Sequence, residues 1–320
     1  MPKRHGMTVS VLVPSSLTRE AEDKREATRK LGYVARAATI FRVDRLIVYP
    51  DRAGDTGRFG DEFVSTVLRY AATPPYLRNE AWGMRDELEY VGVLPPLRAT
   101  SQTGSESDGS GSLRQGIVTE VGPDQRVRVN CGLQHPISLN VPPKMAVSVG
   151  ERVTIRISSR RPVRAKLVDE PLPGLTVERT DLQAALSRED AGVRIAASRF
   201  GAELTVGRLG TLAGHTERDT TRDGYTIAFG APERGLPAIL ELEDTTVESL
   251  SAWPSWLAED EDGVEPTSAA GDDDTVAAET DAADPGGFDL WLNTVPDQGS
   301  DVVRTEEALF ATLAPLSLRE

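Results

Sequence analysis

The sequence predicts an α/β protein with a mostly parallel sheet, interrupted by an inserted small all-β barrel, and three observations predict it. Strand-like and helix-like patterns alternate up to about residue 95, and that texture resumes after about residue 171. Residues 113–168 instead hold five short strand-like segments separated by Gly, Pro and Asp turns. Each change of texture falls at a breaker or a low-complexity run.

Thr8–Val13 is an apolar run suited to a buried strand. Thr18 precedes a helical pattern that runs to about Phe41, in which Ala27, Leu31, Val34, Ala35, Ala38 and Phe41 recur at helical spacing. Leu46–Tyr49, rich in β-formers and stopped by Pro50, is a second strand, and Gly60–Ala72 a second helix. Strand, helix, strand, helix implies right-handed crossovers in a parallel sheet. Pro95-Pro96 ends this pattern, and the Ser/Gly-rich residues 101–112 predict a flexible linker. Gly116–Val121, Arg126–Cys131, Ile137–Val141, Arg152–Ser158 and Ala165–Val168 then suit an OB-like barrel, a fold whose open sheet face commonly binds oligonucleotides. After Pro171–Gly174, Leu182–Ser187 reads as a helix, Gly192–Ala197 and Glu203–Val206 as strand pieces, and Gly224–Phe229 as a strong strand. Ala238–Leu242 is a less marked candidate. Residues 258–287 are acidic and almost without core formers, which predicts a disordered insertion. Leu290–Leu292 is a last strand and Thr305–Leu316 a closing helix. Residues 1–100 and 171–320 would thus form one discontinuous domain around the 113–168 insertion.

Composition narrows the function. No apolar run approaches the roughly eighteen residues of a membrane helix. The basic start and the apolar Met7–Val13 imitate a secretory signal, but the run is short and lacks a cleavage site, so a strand is expected. One cysteine, Cys131, and three scattered histidines, His5, His135 and His215, give no disulfide and no metal-ligand spacing; a reducing cytoplasm and no metal are expected. The net charge of −14 argues at first against nucleic acid. It is unevenly spread: residues 259–284 hold eleven acids and no base, whereas 113–166 hold ten bases and three acids. A basic segment in an acidic chain is the footprint of a phosphate-binding surface, with Arg114, Arg126, Arg128, Lys144, Arg156, Arg160 and Arg161 as candidate RNA contacts. Only five of the 36 basic residues are lysine, and acids abound, as in proteins kept soluble in concentrated salt. Such salt weakens phosphate contacts and shifts recognition toward stacking, shape and bidentate arginine.

Three segments carry candidate chemistry. Phe229-Gly230-Ala231-Pro232-Glu233-Arg234-Gly235-Leu236 follows a strand; its first glycine admits close backbone approach, and the turn exposes Glu233 and Arg234. Asn293–Ala308 joins the last strand to the last helix. Asn293, Thr294 and Gln298 offer polar side chains there, Gly299 permits an unusual backbone angle, and Thr305 is placed to cap the helix. Gly32–Phe41 sets Arg36 among apolar residues, where an arginine needs a partner or a ligand.

Phe-Gly-x-Pro-x-x-Gly-Leu, Asn-Thr-x-Pro-x-Gln-Gly and Val-Arg-Thr-Glu-Glu-Ala resemble the C-terminal motifs of the SPOUT family of RNA methyltransferases of archaea and eukaryotes, which includes a predicted rRNA uridine-N3 methyltransferase. Ala-Arg-Ala-Ala-x-Ile-Phe resembles the arginine motif of the wider superfamily, and a barrel inserted after Leu94–Leu97 is this family's layout. The resemblance implies a trefoil-knotted parallel-sheet domain, a homodimer, S-adenosyl-L-methionine bent into the knot, and an RNA site shared between subunits. Carried over, Gly230, Gly235, Asn293, Thr294, Gln298, Gly299 and Thr305 would bind the cofactor. So would Ser198 and Gly201 of Ala197–Gly201, where alanine replaces an expected threonine. Arg36 would orient the RNA and stabilise charge on the base, and the methylated atom would be a base nitrogen such as uridine N3 of rRNA. Glu306 or Glu307 could take a proton, although carboxylates in a first helical turn more often complement the dipole. Two other readings compete: a non-catalytic RNA-binding or ribosome-assembly factor, and another α/β nucleotide-binding enzyme, against which the absence of both phosphate-loop fingerprints counts.

Overall fold

In the computed structural model, described for residues 8–54, 59–97, 103–104, 111–124, 126–160, 163–218, 224–257 and 285–318, the chain builds two sheets. The first is parallel and is made of β1 (Thr8–Pro14), β2 (Arg45–Tyr49), β9 (Thr176–Arg179), β10 (Val193–Glu203), β11 (Gly224–Phe229) and β12 (Leu290–Asn293), in the order β12-β10-β11-β1-β2-β9. The second is antiparallel and runs in the order β6-β5-β4-β7-β8, from β4 (Gly111–Val121), β5 (Arg126–Asn130), β6 (Ile137–Asn140), β7 (Arg152–Arg160) and β8 (Val163–Val168). β3 (Thr103–Gly104) pairs with the start of β4, so part of the expected linker is strand-paired. Residues 105–110 of that linker and 258–284 of the acidic insertion lie outside the described residues.

Strands β1, β2, β11 and β12 are largely apolar because both their faces are covered. Val11, Val13, Leu46, Val48, Ile195, Ile227, Phe229, Leu290 and Leu292 enter one core, with α1 (Lys24–Ile40), α2 (Asp61–Ala72) and α8 (Thr305–Leu316). The alternate residues Leu12, Ile47, Tyr49, Ala196, Ala228 and Trp291 enter the other, against α4 (Leu182–Leu186) and Phe288. The antiparallel sheet has its own core, Val118, Val127, Val129, Cys131, Leu139, Val153, Ile155, Ile157 and Leu167. Cys131 is buried there, which pushes its thiol above its ordinary value.

Several elements depart from the sequence expectation. Helix α1 begins at Lys24 rather than after Thr18, because Asp23 accepts from the Glu26 N–H at 2.7 Å and caps it, while the Thr18 hydroxyl donates to the Phe59 carbonyl in a turn. The strand pieces 192–197 and 203–206 are one bulged strand, β10, and Val206 instead opens α5 (Val206–Arg218). Within the 238–242 run, α6 (Leu236–Ile239) is a single helical turn with Pro237 in its first turn, followed by α7 (Asp244–Ser249). β9 had no counterpart in the sequence reading.

The barrel is docked on the turn before α3 (Arg78–Ala81). The Tyr76 ring sits where any side chain at Gly132 would stand, 2.6 Å from an added Cβ, and its hydroxyl donates to the Gln115 carbonyl at 3.0 Å. Asn130 donates to Glu80 at 2.8 Å, and Gln115 to the Pro173 carbonyl at 2.6 Å.

Candidate functional site

In parallel sheets, ligands bind beyond the carboxyl ends of the strands. Here β12 lies on the far side of β10 from β11, so a bulge within β10 and the segments leaving β11 and β12 converge. They enclose a cleft of about 400 Å³, within the range of small-molecule sites. Its apolar wall comes from Phe229, Leu292, Val295, Val302, Val303 and Ala308. Its polar groups include Ser198, Asn293, Thr294 and Gln298, with two carboxylates, Glu233 and Asp301, and one guanidinium, Arg199.

The first wall is a bulge in β10. Ala197 and Ala202 both pair with Leu292, so Ser198–Gly201 leaves the ladder between them. The chain returns only because Gly201 has no side chain: a Cβ there would lie 2.4 Å from the Leu292 nitrogen. Gly201 therefore shapes the cleft without lining it. Ser198 Oγ accepts from the Phe200 N–H at 3.3 Å.

The second wall is the turn after β11. Ala231 and Arg234 exchange backbone hydrogen bonds of 2.9 and 3.1 Å, and a Cβ on Gly230 would meet Gly235 Cα at 2.7 Å. Glu233 takes a left-handed φ of 59°, uncommon for a non-glycine residue, and lines the cleft. Arg234 Nε donates to both Asp51 oxygens at 3.2 and 3.0 Å, and Asp51, 3% exposed, also accepts from Ser16 Oγ and the Gly54 N–H. This ties the turn to the ends of β1 and β2. Asp51 had gone unnoticed in the sequence; its signal is an acid just past a strand's carboxyl end, after Tyr49-Pro50.

The third wall follows β12. Asn293 donates to the Arg199 carbonyl at 3.2 Å and accepts from the Val295 N–H at 3.0 Å. Thr294 is hydrogen-bonded to Thr312 at 2.8 Å, and the Thr305 hydroxyl donates to the Gly230 carbonyl at 2.8 Å. Gln298 donates to the Ser300 carbonyl at 2.8 Å. Asn293 and Thr305 thus tie this wall to the other two, whereas Thr294 fastens it to α8 and Gln298 bonds within it. Gly299 neither lines the cleft nor takes a positive φ; Asp297 does, at 53°. The N-cap of α8 is Arg304, with Thr305 its first residue, and Glu307 accepts from the Arg304 N–H at 2.9 Å, a structural role for that carboxylate.

Glu306 is 8% exposed, outside the cleft lining, and among the described residues its Oε2 has no hydrogen-bond partner. Burial raises its carboxyl above the ordinary value; its own backbone N–H and Lys30 oppose this, and Glu307 and Glu20 add to it. With the folded pKa raised, the unfolded chain loses this proton first, so stability falls as pH climbs through and above the usual carboxylate range. Glu306→Gln should therefore melt above wild type at pH 7, with a margin that closes in acid where both states are protonated. A margin independent of pH in thermal melts would rule out the carboxyl as its source.

Arg36 stands apart from this cleft. It is half-buried and donates to the Pro96 and Leu97 carbonyls at 3.0 and 2.8 Å, holding that segment on α1. Of the barrel candidates, Arg126 and Arg128 are exposed on β5, bound to Asn140 and Glu120 respectively, and Lys144 is exposed on a turn. Arg156 pairs with Glu170. Arg114 lies 4.8 Å over the Tyr76 ring, at the docking contact. Arg160 ends β7, its side chain outside the described residues, as is all of Arg161. Among the described residues, no cluster of His, Cys, Asp and Glu is arranged to hold a metal, and no helix is long and apolar enough to cross a membrane.

Comparison with known proteins gives a coherent set. A family model described as "Putative RNA methyltransferase" matches residues 8–316. An uncharacterised protein of Haloarcula marismortui is 64% identical over 314 residues, covering 98% of this chain and 100% of that protein. One of Halobacterium salinarum is 62% identical over 315 residues, with the same coverage. The human 28S rRNA (uridine-N(3))-methyltransferase is 28% identical over 324 residues, covering 97% of this chain and 77% of the human protein.

Proposed function

Because the chain belongs to the RNA methyltransferase family that matches residues 8–316, we propose that it transfers a methyl group from S-adenosyl-L-methionine to a base nitrogen of rRNA, uridine N3 by analogy with its eukaryotic relatives. The observation that carries this reading is the lining of the cleft where the β10 bulge and the segments after β11 and β12 meet. Two carboxylates against one guanidinium suit a nucleoside bearing a sulfonium and an ammonium, and disfavour a polyphosphate. The apolar wall suits a purine ring.

When bound, the sulfonium supplies an electrophilic methyl group and its own leaving group. The chain's residues do the rest by positioning. Leu292, Val295 and Val303 exclude water from one side, and Glu233 and Asp301 complement the cation. Gly230, held close to Gly235, lets the ligand lie against the backbone. A uracil N3 must lose its proton as the bond forms. Glu307 is committed to the helix cap and Glu306 lies outside the cleft, so Glu233 and Asp301 are the carboxylates available to receive it.

The rest of the reading concerns assembly. The order β12-β10-β11 fits the trefoil-knotted SPOUT topology, and the inserted sheet, an OB-like module, would deliver RNA through Arg126, Arg128 and Lys144. Arg36 would reach the reacting base from a second copy, which makes the active form a homodimer. The acidic, lysine-poor composition fits a cytoplasm rich in salt.

The test is to incubate the purified protein with methyl-labelled S-adenosyl-L-methionine and unmodified rRNA in molar potassium chloride, then digest to nucleosides. N3-methyluridine is expected by mass spectrometry. Cofactor binding without label in any rRNA would favour instead the non-catalytic assembly factor.

A further inference from the structure

Phe200 is an anomaly. Of seven phenylalanines, Phe63, Phe229 and Phe288 are buried and Phe41, Phe59 and Phe310 partly buried, whereas Phe200 is 40% exposed. It stands on the β10 bulge that forms one wall of the cleft, and it is one of the residues lining it. The bulge is not loose: Gly201 returns it to the ladder against the Leu292 nitrogen, and Asn293 donates to the Arg199 carbonyl. A single exposed apolar side chain is ordinary on a protein surface; what sets Phe200 apart is that it lines the cleft on a fixed bulge.

Its neighbour sharpens the chemistry. The Arg199 guanidinium lies 4.8 Å over the Phe200 ring. It is also the one cation lining the cleft among the described residues. A flat ring layered with a cation offers a π-face to a base and a positive charge to the adjoining phosphate. Inside the cleft, the walls at Phe229 and Leu292 are closed, at 1% and 0% exposed; Phe200 is at the outer edge, where the acceptor rather than the donor would enter.

We propose that Phe200, backed by Arg199, is the platform on which the unstacked target base of a single-stranded RNA segment stacks. This deepens the function proposed above and rests on it for the identity of the base. A base inside a duplex cannot reach such a cleft without being flipped, so the substrate class is a loop or an unpaired strand. In molar salt, where phosphate contacts are weakened, stacking would carry a larger share of the binding.

The test measures binding of a fluorescent uridine-containing single-stranded RNA by anisotropy, alongside calorimetric titration with S-adenosyl-L-methionine, for wild type, Phe200→Ala, Phe200→Leu and Phe200→Trp. Phe200→Ala and Phe200→Leu should weaken RNA binding by roughly 5- to 150-fold, the range set by loss of one base–aromatic stack. Phe200→Trp should retain it, and cofactor affinity should stay within about twofold. Equal loss in Phe200→Leu and Phe200→Trp, unchanged RNA binding in Phe200→Ala, a matching loss of cofactor affinity, or a change of mass in solution would each overturn the platform. The last two would assign the ring to the cofactor or to a second copy. Wild type that binds the RNA in a Phe200-dependent way but takes no cofactor would sink the methyltransferase reading and leave the platform standing.

Discussion

Gly224→Ala should cost roughly 3 kcal/mol or more and lower the melting temperature by on the order of 5–10 °C. Gly224 opens β11 with a φ of 116°, a region closed to side chains. An added Cβ would lie 2.1 Å from the Thr8 carbonyl oxygen and 2.9 Å from its nitrogen. Those atoms belong to the backbone of β1, so no rotamer change relieves the clash. Gly192, just before β10, has a φ of 63°, and a Cβ on it would lie 2.2 Å from the Gly224 carbonyl oxygen. Three central strands therefore start backbone against backbone, and moving one shifts the pairings Thr8↔Gly224 and Val193↔Tyr225. A thermal melt indistinguishable from wild type would show that the strand starts are looser than the geometry describes.

Asp51→Ala should cost roughly 2–4 kcal/mol, below the range for a fully buried pair because about a fifth of Arg234 reaches solvent. Removing the carboxylate leaves Arg234 and Ser16 without their partner and frees the turn that carries Gly230 and Glu233. Cofactor affinity should fall by about tenfold or more, as expected when a binding loop loses its preorganisation. Asp51→Asn keeps the volume but loses the charge, and should fall between Ala and wild type. Buried pairs are screened little, so the difference should persist in molar potassium chloride. Equal cofactor affinity in Asp51→Ala and wild type would detach this pair from the site.

What the sequence disclosed and what it hid follow from burial. β1, β2, β11 and β12 were legible because both of their faces are covered, which writes them as continuous apolar runs. β9 was not: it is an edge strand, half-buried at best, and Glu178 interrupts it. Helix α5 was obscured by three glycines and by Val206, which is 91% exposed and imitates a strand residue. The short apolar run at 238–242 could not be told from a strand by periodicity, and Pro237 in the first turn settled it as helix.

The motif residues of Phe229–Leu236 and Asn293–Thr305 do converge on one cleft, but their roles were not written in their types. Asn293, Thr294 and Thr305 line the cleft as expected, and Asn293 and Thr305 also tie its walls together while Thr294 bonds to Thr312 of α8. Gly299, expected to take an unusual backbone angle, leaves the positive φ to Asp297. Arg36, read as a lone cation among apolar residues, finds its partners in carbonyls sixty residues away, which no local pattern reveals. The Asp51–Arg234 pair spans 183 residues and was equally out of reach.

The central claim is that this cleft holds S-adenosyl-L-methionine, and calorimetric titration of the folded protein in molar potassium chloride tests it most directly. The account predicts binding near the micromolar range that Asn293→Ala, by releasing the Arg199 carbonyl and the Val295 N–H, weakens by about tenfold or more. Folded protein that gives no binding heat, or an Asn293→Ala variant that binds as tightly as wild type, would contradict it.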